Sequence, residues 1–205
     1  MTAATTFAPL GGPQPAFLPP LRSGQAPSSR TRDAELVVAC RAGSAGAFRE
    51  IYARHASYVA RITARVLGSE ADLDDVVQDT FVDAHRSLHT LTDGGALRGW
   101  LVAVAVRKAR RVLAGQRRRR FLSALFGDVT PRATDARLAT SAHELCDALD
   151  RIDPDLRIPW VLVRACEMSL EEAARACDVS LATIKRRVGL AEERLQKRLS
   201  GEVSS

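Results

Sequence analysis

Side chains that can bind phosphates or base edges lie close together near the carboxyl end of the chain. They are Thr183, Lys185, Arg186 and Arg187. Lys and Arg donate to phosphate oxygens and to guanine edges, and Thr hydroxyls reach either. Ser180 can cap the helix that would carry them. The spacing therefore indicates a basic helix start that faces DNA, and the alternative is an ordinary helical hairpin with a solvated basic face.

The residues around this cluster predict the helix that must position it. Ser169 and Glu172 have the spacing of a capping box at the start of a first helix. Asp178 stands where a tight turn requires a left-handed backbone, which Asp tolerates. The second helix would bury a stripe at helical spacing, formed by Ile184, Val188, Ala191 and Leu195. Two helices joined in this way over residues 169–199 are typical of a helix-turn-helix, whose second helix enters the major groove.

A second group of chemically capable side chains is acidic. Within a helix predicted over residues 70–89, Asp72, Asp75, Asp79 and Asp83 share one face by their three- and four-residue spacing. A row of carboxylates could hold a metal ion, and two histidines also occur in this helix. The sequence nevertheless contains no Glu-x-x-His pair and no second acidic helix. We therefore expect a solvated or partner-binding acidic face, with no metal and no cofactor.

A loop and a basic helix follow. Asp93-Gly94-Gly95 marks residues 90–96 as a loop, in which the glycines would give the backbone freedom. The next helix is predicted over residues 97–114. From Arg107 to Arg120 the chain carries many basic residues and no acidic one, a pattern that favours contact with a phosphate backbone.

Composition and punctuation divide the rest of the chain. Its 205 residues carry a net charge of +6, which favours a polyanionic partner. The Pro-rich residues 1–32 are predicted to be a disordered tail, residues 119–140 a linker and residues 200–205 a short tail. The four cysteines lack Cys-x-x-Cys spacing, as expected for reduced thiols in the cytoplasm. No apolar run reaches the ~18 residues of a membrane span, so no membrane partner is expected.

Motifs in both halves carry a resemblance. The sequence Leu-Asp-Asp-Val-Val-Gln-Asp-Thr-Phe at 73–81 and the sequence Leu-Arg-Gly-Trp-Leu at 97–101 are similar to paired motifs of the extracytoplasmic-function (ECF) group of bacterial RNA polymerase sigma factors. The sequences Ser-Leu-Glu-Glu-Ala-Ala at 169–174 and Ser-Leu-Ala-Thr-Ile-Lys-Arg-Arg at 180–187 resemble that family's helix-turn-helix. The resemblance extends over about residues 33–199.

The resemblance implies an all-α protein with two helical domains joined by a flexible linker. Residues 33–118 would be a region 2-like domain for core polymerase and the −10 element, and residues 141–199 a region 4-like domain for the −35 element. Such a protein is a cytoplasmic sigma factor, not an enzyme. Its partners would be promoter DNA and core RNA polymerase, through the beta-prime coiled coil and the beta flap. An anti-sigma factor is a further partner of this family, which the sequence does not identify.

The family's roles can be carried over to residues of this chain. The −35 element would be contacted by Ser180, Thr183, Lys185, Arg186 and Arg187. The −10 element would be held by the loop residues Thr92, Asp93 and Gly94, around a flipped base, and by Arg98, Arg107, Lys108 and Arg111 on the basic helix. Core polymerase would be contacted by Asp75, Val76, Gln78, Asp79 and Phe81.

Two other functions are alternatives. A helix-turn-helix regulator that binds an operator without polymerase would share the second domain and leave the first unexplained. A metalloenzyme built on the acidic helix would require ligands that the sequence does not supply. Binding to core polymerase distinguishes the sigma factor from the first alternative, and a metal assay tests the second.

Overall fold

A computed structural model describes residues 27–69, 71–126 and 141–200, and these residues form helices and short connections without a β-strand. The α-helices are α1 (Pro27–Arg41), α2 (Ala45–Leu67), α3 (Leu73–Ser87), α4 (Leu97–Phe126), α5 (Ser141–Asp150), α6 (Pro154–Trp160), α7 (Leu170–Cys177) and α8 (Leu181–Leu199). Short 3₁₀ turns at Leu88–Thr90 and Gly94–Ala96 lie between α3 and α4, and a π-helical turn at Val161–Ala165 follows α6. The fold is all-α, as the sequence predicts.

Helix α1 begins earlier than the sequence predicts. It starts at Pro27, so part of the segment 1–32 that we expected to be a tail is helical, while residues 1–26 lie outside the described residues. Asp33, a residue type that commonly caps helices, lies inside α1 and is fully buried. Its Oδ1 is 3.1 Å from Nε2 of His55 and 3.4 Å from Nε of Arg54, both on α2. Asp33 thereby joins α1 to α2.

Helix α4 is longer than the sequence predicts. It continues to Phe126, into the segment 119–140 that we expected to be a linker, of which residues 127–140 lie outside the described residues. Arg is a good helix former, so the basic run does not end the helix. Arg117 is paired with Asp153, which lies just before α6, and this contact ties the extension to the second half of the chain.

Pro159 lies inside α6, where a proline is expected to kink a helix or delay its start. The helix proceeds beyond it as the π-helical turn, in which the amide of Cys166 donates to the carbonyl of Val161 at 2.9 Å. Proline cannot supply the regular backbone hydrogen bond, and a change of helical pitch is one of the known accommodations of such a gap. Pro159 therefore changes the helix without ending it.

One hydrophobic core belongs to both halves of the chain. Residues of α2 and α4, including Ile62, Val102 and Val106, are in one buried cluster with Leu162 and Ile184 from the second half. Full burial of each such side chain contributes about 1.5–3 kcal/mol. Separate clusters lie beneath α1 and the 94–96 turn, and between α5, α6 and α8. The two helical domains are thus in contact through a shared apolar interface.

Candidate nucleic-acid interface

The helix-turn-helix has the local geometry that the sequence predicts. The amide of Glu172 donates to Oγ of Ser169 at 3.1 Å, and the amide of Ser169 donates to the Glu172 carboxylate at 2.9 Å, which completes the capping box. Asp178 has a left-handed backbone with φ of 56°. Ser180 caps α8 by accepting from the amide of Thr183 at 3.2 Å. The hydroxyls of Ser180 and Thr183 also lie 2.9 Å apart, so both take part in the cap of the helix.

The cations at the start of α8 differ in their exposure. Lys185 and Arg186 are exposed. Arg187, which we expected beside them, has a side chain only 20% exposed and lies 3.7 Å from Asp155 of α6. The reason is helical geometry: Arg187 follows the buried Ile184 by three residues, so it lies at the edge of the buried stripe. The exposed basic surface of this helix is therefore formed by Lys185 and Arg186.

The loop before α4 is held by more contacts than its two glycines predict. Asp93 caps the 94–96 turn, accepting from the amide of Gly95 at 2.8 Å. Gly94 lies so close to α1 that a Cβ there would be 2.6 Å from the Cα of Ala34. Neither glycine has a positive φ, so here glycine serves close packing rather than backbone freedom. The exposed residues of the loop include Thr92 and Asp93, which leaves them accessible to a ligand.

Of the cations predicted to face DNA on α4, two are exposed and one is held in ion pairs with α3. Arg107 and Arg111 are exposed, as a phosphate contact requires. Lys108 is only 17% exposed, and its Nζ lies 2.7 Å from Asp83 and 3.5 Å from Asp79 of α3. The hydrogen bond from Lys108 lowers the pKa of the Asp83 carboxyl. The expectation that Lys108 is available to DNA is therefore wrong for this conformation, and the acidic face of α3 is partly covered by α4.

Arg98, also expected on the DNA surface, lies over the ring of Tyr58 at 3.7 Å from its centroid. A guanidinium over an aromatic face is an attractive cation–π contact. Burial raises the pKa of the Tyr58 hydroxyl, so the ring stays neutral beside the cation. Arg98 thus joins α4 to α2 and is half-buried.

Further along α4, basic side chains pair with carboxylates of the second domain. Nε of Arg110 lies 3.4 Å from Asp155. A similar pairing joins Arg120 to Asp150 at 3.8 Å. Asp153 also caps α6 by accepting from the amide of Asp155 at 2.9 Å, and no partner was predicted for the neighbouring acids. The acidic residues cluster around the start of α6, which is visible in the sequence. The arginines that pair with them lie 30 or more residues earlier in the chain, so the pairing is not.

An open groove lies between α2 and α3. Phe81 forms its floor, and Gln78 and Val82 line it from α3, facing Phe48 and Tyr52 from α2. Tyr52 is 48% exposed and Val82 is 40% exposed. Helical spacing groups Tyr52 with the buried residues of α2, so its exposure was not predicted from the sequence. The groove is a concave, partly apolar surface suited to another protein's helix.

The groove contains only part of the predicted polymerase-binding set. Gln78 and Phe81 line it. Val76 is buried in the core shared by the two domains, so its assignment to a partner surface is wrong. Asp79 faces Lys108 instead of the groove, and Asp75 is exposed. The helical period explains this division, because residues 76 and 79 lie on different sides of α3 from residue 78.

The buried cysteines and His85 are packed within the fold. Burial raises the pKa of the Cys166 and Cys177 thiols to about 11, which keeps them protonated at neutral pH. His85 packs edge-on against Phe48, with ring centroids 4.7 Å apart. Over residues 27–69, 71–126 and 141–200, no three His, Cys, Asp or Glu side chains form a group able to hold a metal ion. Among the helices described, none is both long and apolar enough to cross a bilayer.

Comparison with known proteins accounts for this combination of surfaces. Residues 51–119 match the Sigma-70 region 2 family. The chain is 31% identical to the RNA polymerase sigma factor CnrH of Cupriavidus metallidurans, over 83% of this chain and 96% of the relative. It is 30% identical to the RNA polymerase sigma factor CarQ of Myxococcus xanthus, over 80% and 94% respectively. It is 29% identical to the ECF RNA polymerase sigma factor SigM of Mycobacterium tuberculosis, over 82% and 84%.

Solved structures agree with the sequence relatives. The structure of CnrH in complex with the cytosolic domain of CnrY has a TM-score of 0.59 and 29% identity, and covers 83% of this chain and 98% of that one. The structure of the sigma factor RpoE with the anti-sigma factor NepR from Bartonella quintana has a TM-score of 0.52 at 23% identity, which supports the fold. These relatives are sigma factors, a class of protein that is not enzymatic. The chain belongs to the ECF group of sigma-70 family RNA polymerase sigma factors, which direct core polymerase to specific promoters and start transcription.

Proposed function

We propose that three surfaces of this sigma factor divide the work of initiation. The start of α8 binds the −35 element through Lys185 and Arg186. Loop 90–96, with the exposed Arg107 and Arg111 of α4, binds and opens the −10 element. The α2–α3 groove binds the beta-prime coiled coil of core polymerase. The observation that carries the −35 assignment is the capped, exposed basic start of α8 within a helix-turn-helix.

We assign the first domain to α1–α4 and the second to α5–α8, which adjusts the boundaries expected from the sequence. The protein acts as a DNA-targeting subunit without catalysis of its own, in the cytoplasm, where polymerase and DNA are found. CnrH was captured with the cytosolic domain of another protein, CnrY. By analogy, an anti-sigma factor is a proposed partner, and the beta flap of polymerase is the proposed contact of the second domain.

Promoter binding requires the domains to separate. A compact chain of this length has a radius of gyration of about 17 Å. The −10 and −35 elements lie about 25 base pairs apart, or about 85 Å at about 3.4 Å per base pair. Two domains that share a core cannot reach both elements at once. Separation would free Arg110 and Arg117 from Asp155 and Asp153 for contact with DNA.

The experiment that tests the function is run-off transcription with purified core polymerase. Adding this protein should produce discrete transcripts from a subset of promoter templates, and core polymerase alone should not. Specific DNA binding with no transcript and no association with core would instead establish the operator-binding regulator.

The groove assignment has its own test. Val82→Glu replaces an apolar side chain of the groove with a charge that must lose its hydration when a partner docks, so it should lower affinity for core polymerase by about tenfold. The measurement is a binding titration with labelled core enzyme.

Val38→Glu is the matched control. Val38 is 64% exposed on α1 and is outside the lining of the groove, so the same substitution there should leave affinity unchanged. Equal losses in both variants would mean that the groove is not the polymerase contact.

A further inference from the structure

Helix α1 packs against the back of the loop that we propose reads the −10 element. Gly94 packs directly against Ala34: a Cβ on Gly94 would lie 2.6 Å from the Cα and 3.1 Å from the Cβ of Ala34. At the near end of the loop, the side chain of Arg41 donates to the carbonyl of Leu91. The loop is thus positioned by α1 and not only by the ends of α3 and α4.

Helix α1 is itself held firmly at the level of this contact. Asp33, the residue before Ala34, is fully buried and accepts hydrogen bonds from His55 and Arg54 of α2. Leu36 and Val37 are buried in the same cluster as Leu91. A change in the size of Ala34 is therefore transmitted to the loop, because the helix cannot easily move away.

The two sides of the loop have different environments. Gly94 faces α1, while Thr92 and Asp93 are exposed. Asp93 also fixes the turn by accepting from the Gly95 amide. A loop held in this way is preorganised, so that less free energy is lost when it orders around a base. Recognition of a base requires side chains held within about 0.5 Å of their productive positions.

We propose that Ala34 is a positioning residue for −10 recognition. Its small side chain sets the distance between α1 and loop 90–96, and this distance determines which base the loop selects. This inference rests on the proposed role of the loop. Ala34 itself need not touch DNA, since it acts from behind the loop. A larger residue at position 34 displaces the loop, and a smaller one removes part of its support.

The test compares open-complex formation on promoters that vary only in the −10 element, using full-length protein and core polymerase. Permanganate reactivity of unpaired thymines reports opening. Ala34→Val should reduce the preference for the best −10 sequence by at least about fivefold, the lower end of the discrimination that one base pair usually contributes. Affinity for core polymerase and binding to an isolated −35 duplex should stay unchanged, which a general loss of folding would not allow.

Ala39→Val is the matched control. Ala39 is also half-buried on α1 but lies about 140° around the helix from Ala34. It should keep the wild-type preference.

Ala34→Gly is the second test variant, which adds no bulk and should also weaken the preference. If Ala34→Val and Ala34→Gly both fold and keep the wild-type preference, the inference is wrong.

Replacing loop 90–96 with an unrelated loop of equal length separates this inference from the function beneath it. If the exchange leaves the −10 preference unchanged, the loop does not read the −10 element and both proposals fail. If the exchange alters the preference while the Ala34 variants do not, the loop assignment stands and only the role of Ala34 is overturned.

Discussion

The two proposed DNA surfaces of this sigma factor are built in different ways. The start of α8 is organised by residues next to it in the chain, chiefly the Ser180 cap and the left-handed Asp178. Loop 90–96 is organised by α1, through Ala34 and the buried Asp33 next to it. The −35 surface therefore depends on local signals, and the −10 surface depends on a helix more than 50 residues earlier in the chain.

The largest expected effect comes from breaking the remote support. Asp33→Ala leaves the buried His55 without its acceptor and removes a partner of Arg54, so we expect a loss of about 3 kcal/mol in the free energy of unfolding. Promoter opening should also fall further than binding to a −35 duplex. Urea denaturation and permanganate reactivity measure the two effects.

Arg32→Ala is the control for that prediction. Arg32 lies next to Asp33 but is exposed, paired with Glu50 at 2.9 Å, and such surface pairs contribute about 0–1 kcal/mol. Comparable losses in the two variants would show that burial of Asp33 is not what secures α1.

The same contrast separates what the sequence could predict from what it could not. The capping box, the Asp178 turn and the buried stripe of α8 follow from residue types at fixed short spacing, and the structure has all of them. Gly94 was also predicted to lie in a turn, but the reason that glycine is needed there was not predicted. That reason is a tertiary contact with Ala34. A single sequence does not show which distant backbone a glycine allows to approach.

Charged residues were the least predictable part. The acidic face of α3 and the basic face of α4 were each predicted. The ion pairs of Lys108 with Asp79 and Asp83, which join these two helices, were not. The helical period places Arg187 at the edge of the buried stripe of α8, but its partner Asp155 belongs to α6 and was not predicted. Whether a charge faces solvent or an ion pair depends on packing between elements, which helical period alone does not determine.

The second prediction tests the local surface. Arg186→Ala should weaken binding to a −35 duplex by about 1–3 kcal/mol if the exposed guanidinium contacts a base. Arg187→Ala should have a smaller effect on DNA binding, because that side chain is directed towards Asp155. Fluorescence anisotropy with the full-length protein measures both. The reverse order of effects would show that Arg187 leaves Asp155 in the DNA complex and is the main contact.

The smallest expected effect is a pH dependence that arises at His55, in the contact between α1 and α2. Burial lowers the pKa of His55, and the cations Arg54 and Arg98 act in the same direction, while the facing Asp33 opposes the shift without cancelling it. Below the unfolded pKa of about 6.5, the unfolded chain takes up a proton that the folded chain binds more weakly. Stability should therefore fall as the pH drops from about 7.5 to 5.5.

Two measurements isolate this effect from the other titrating groups. An NMR titration should give His55 a pKa below the usual histidine value of about 6.5. In urea denaturation, His55→Gln should flatten the pH dependence, since glutamine can still donate to Asp33 without titrating. A His55 pKa above the usual value would mean that Asp33 outweighs burial. Stability would then rise on acidification, and mild acid would strengthen the support beneath the −10 loop instead of weakening it.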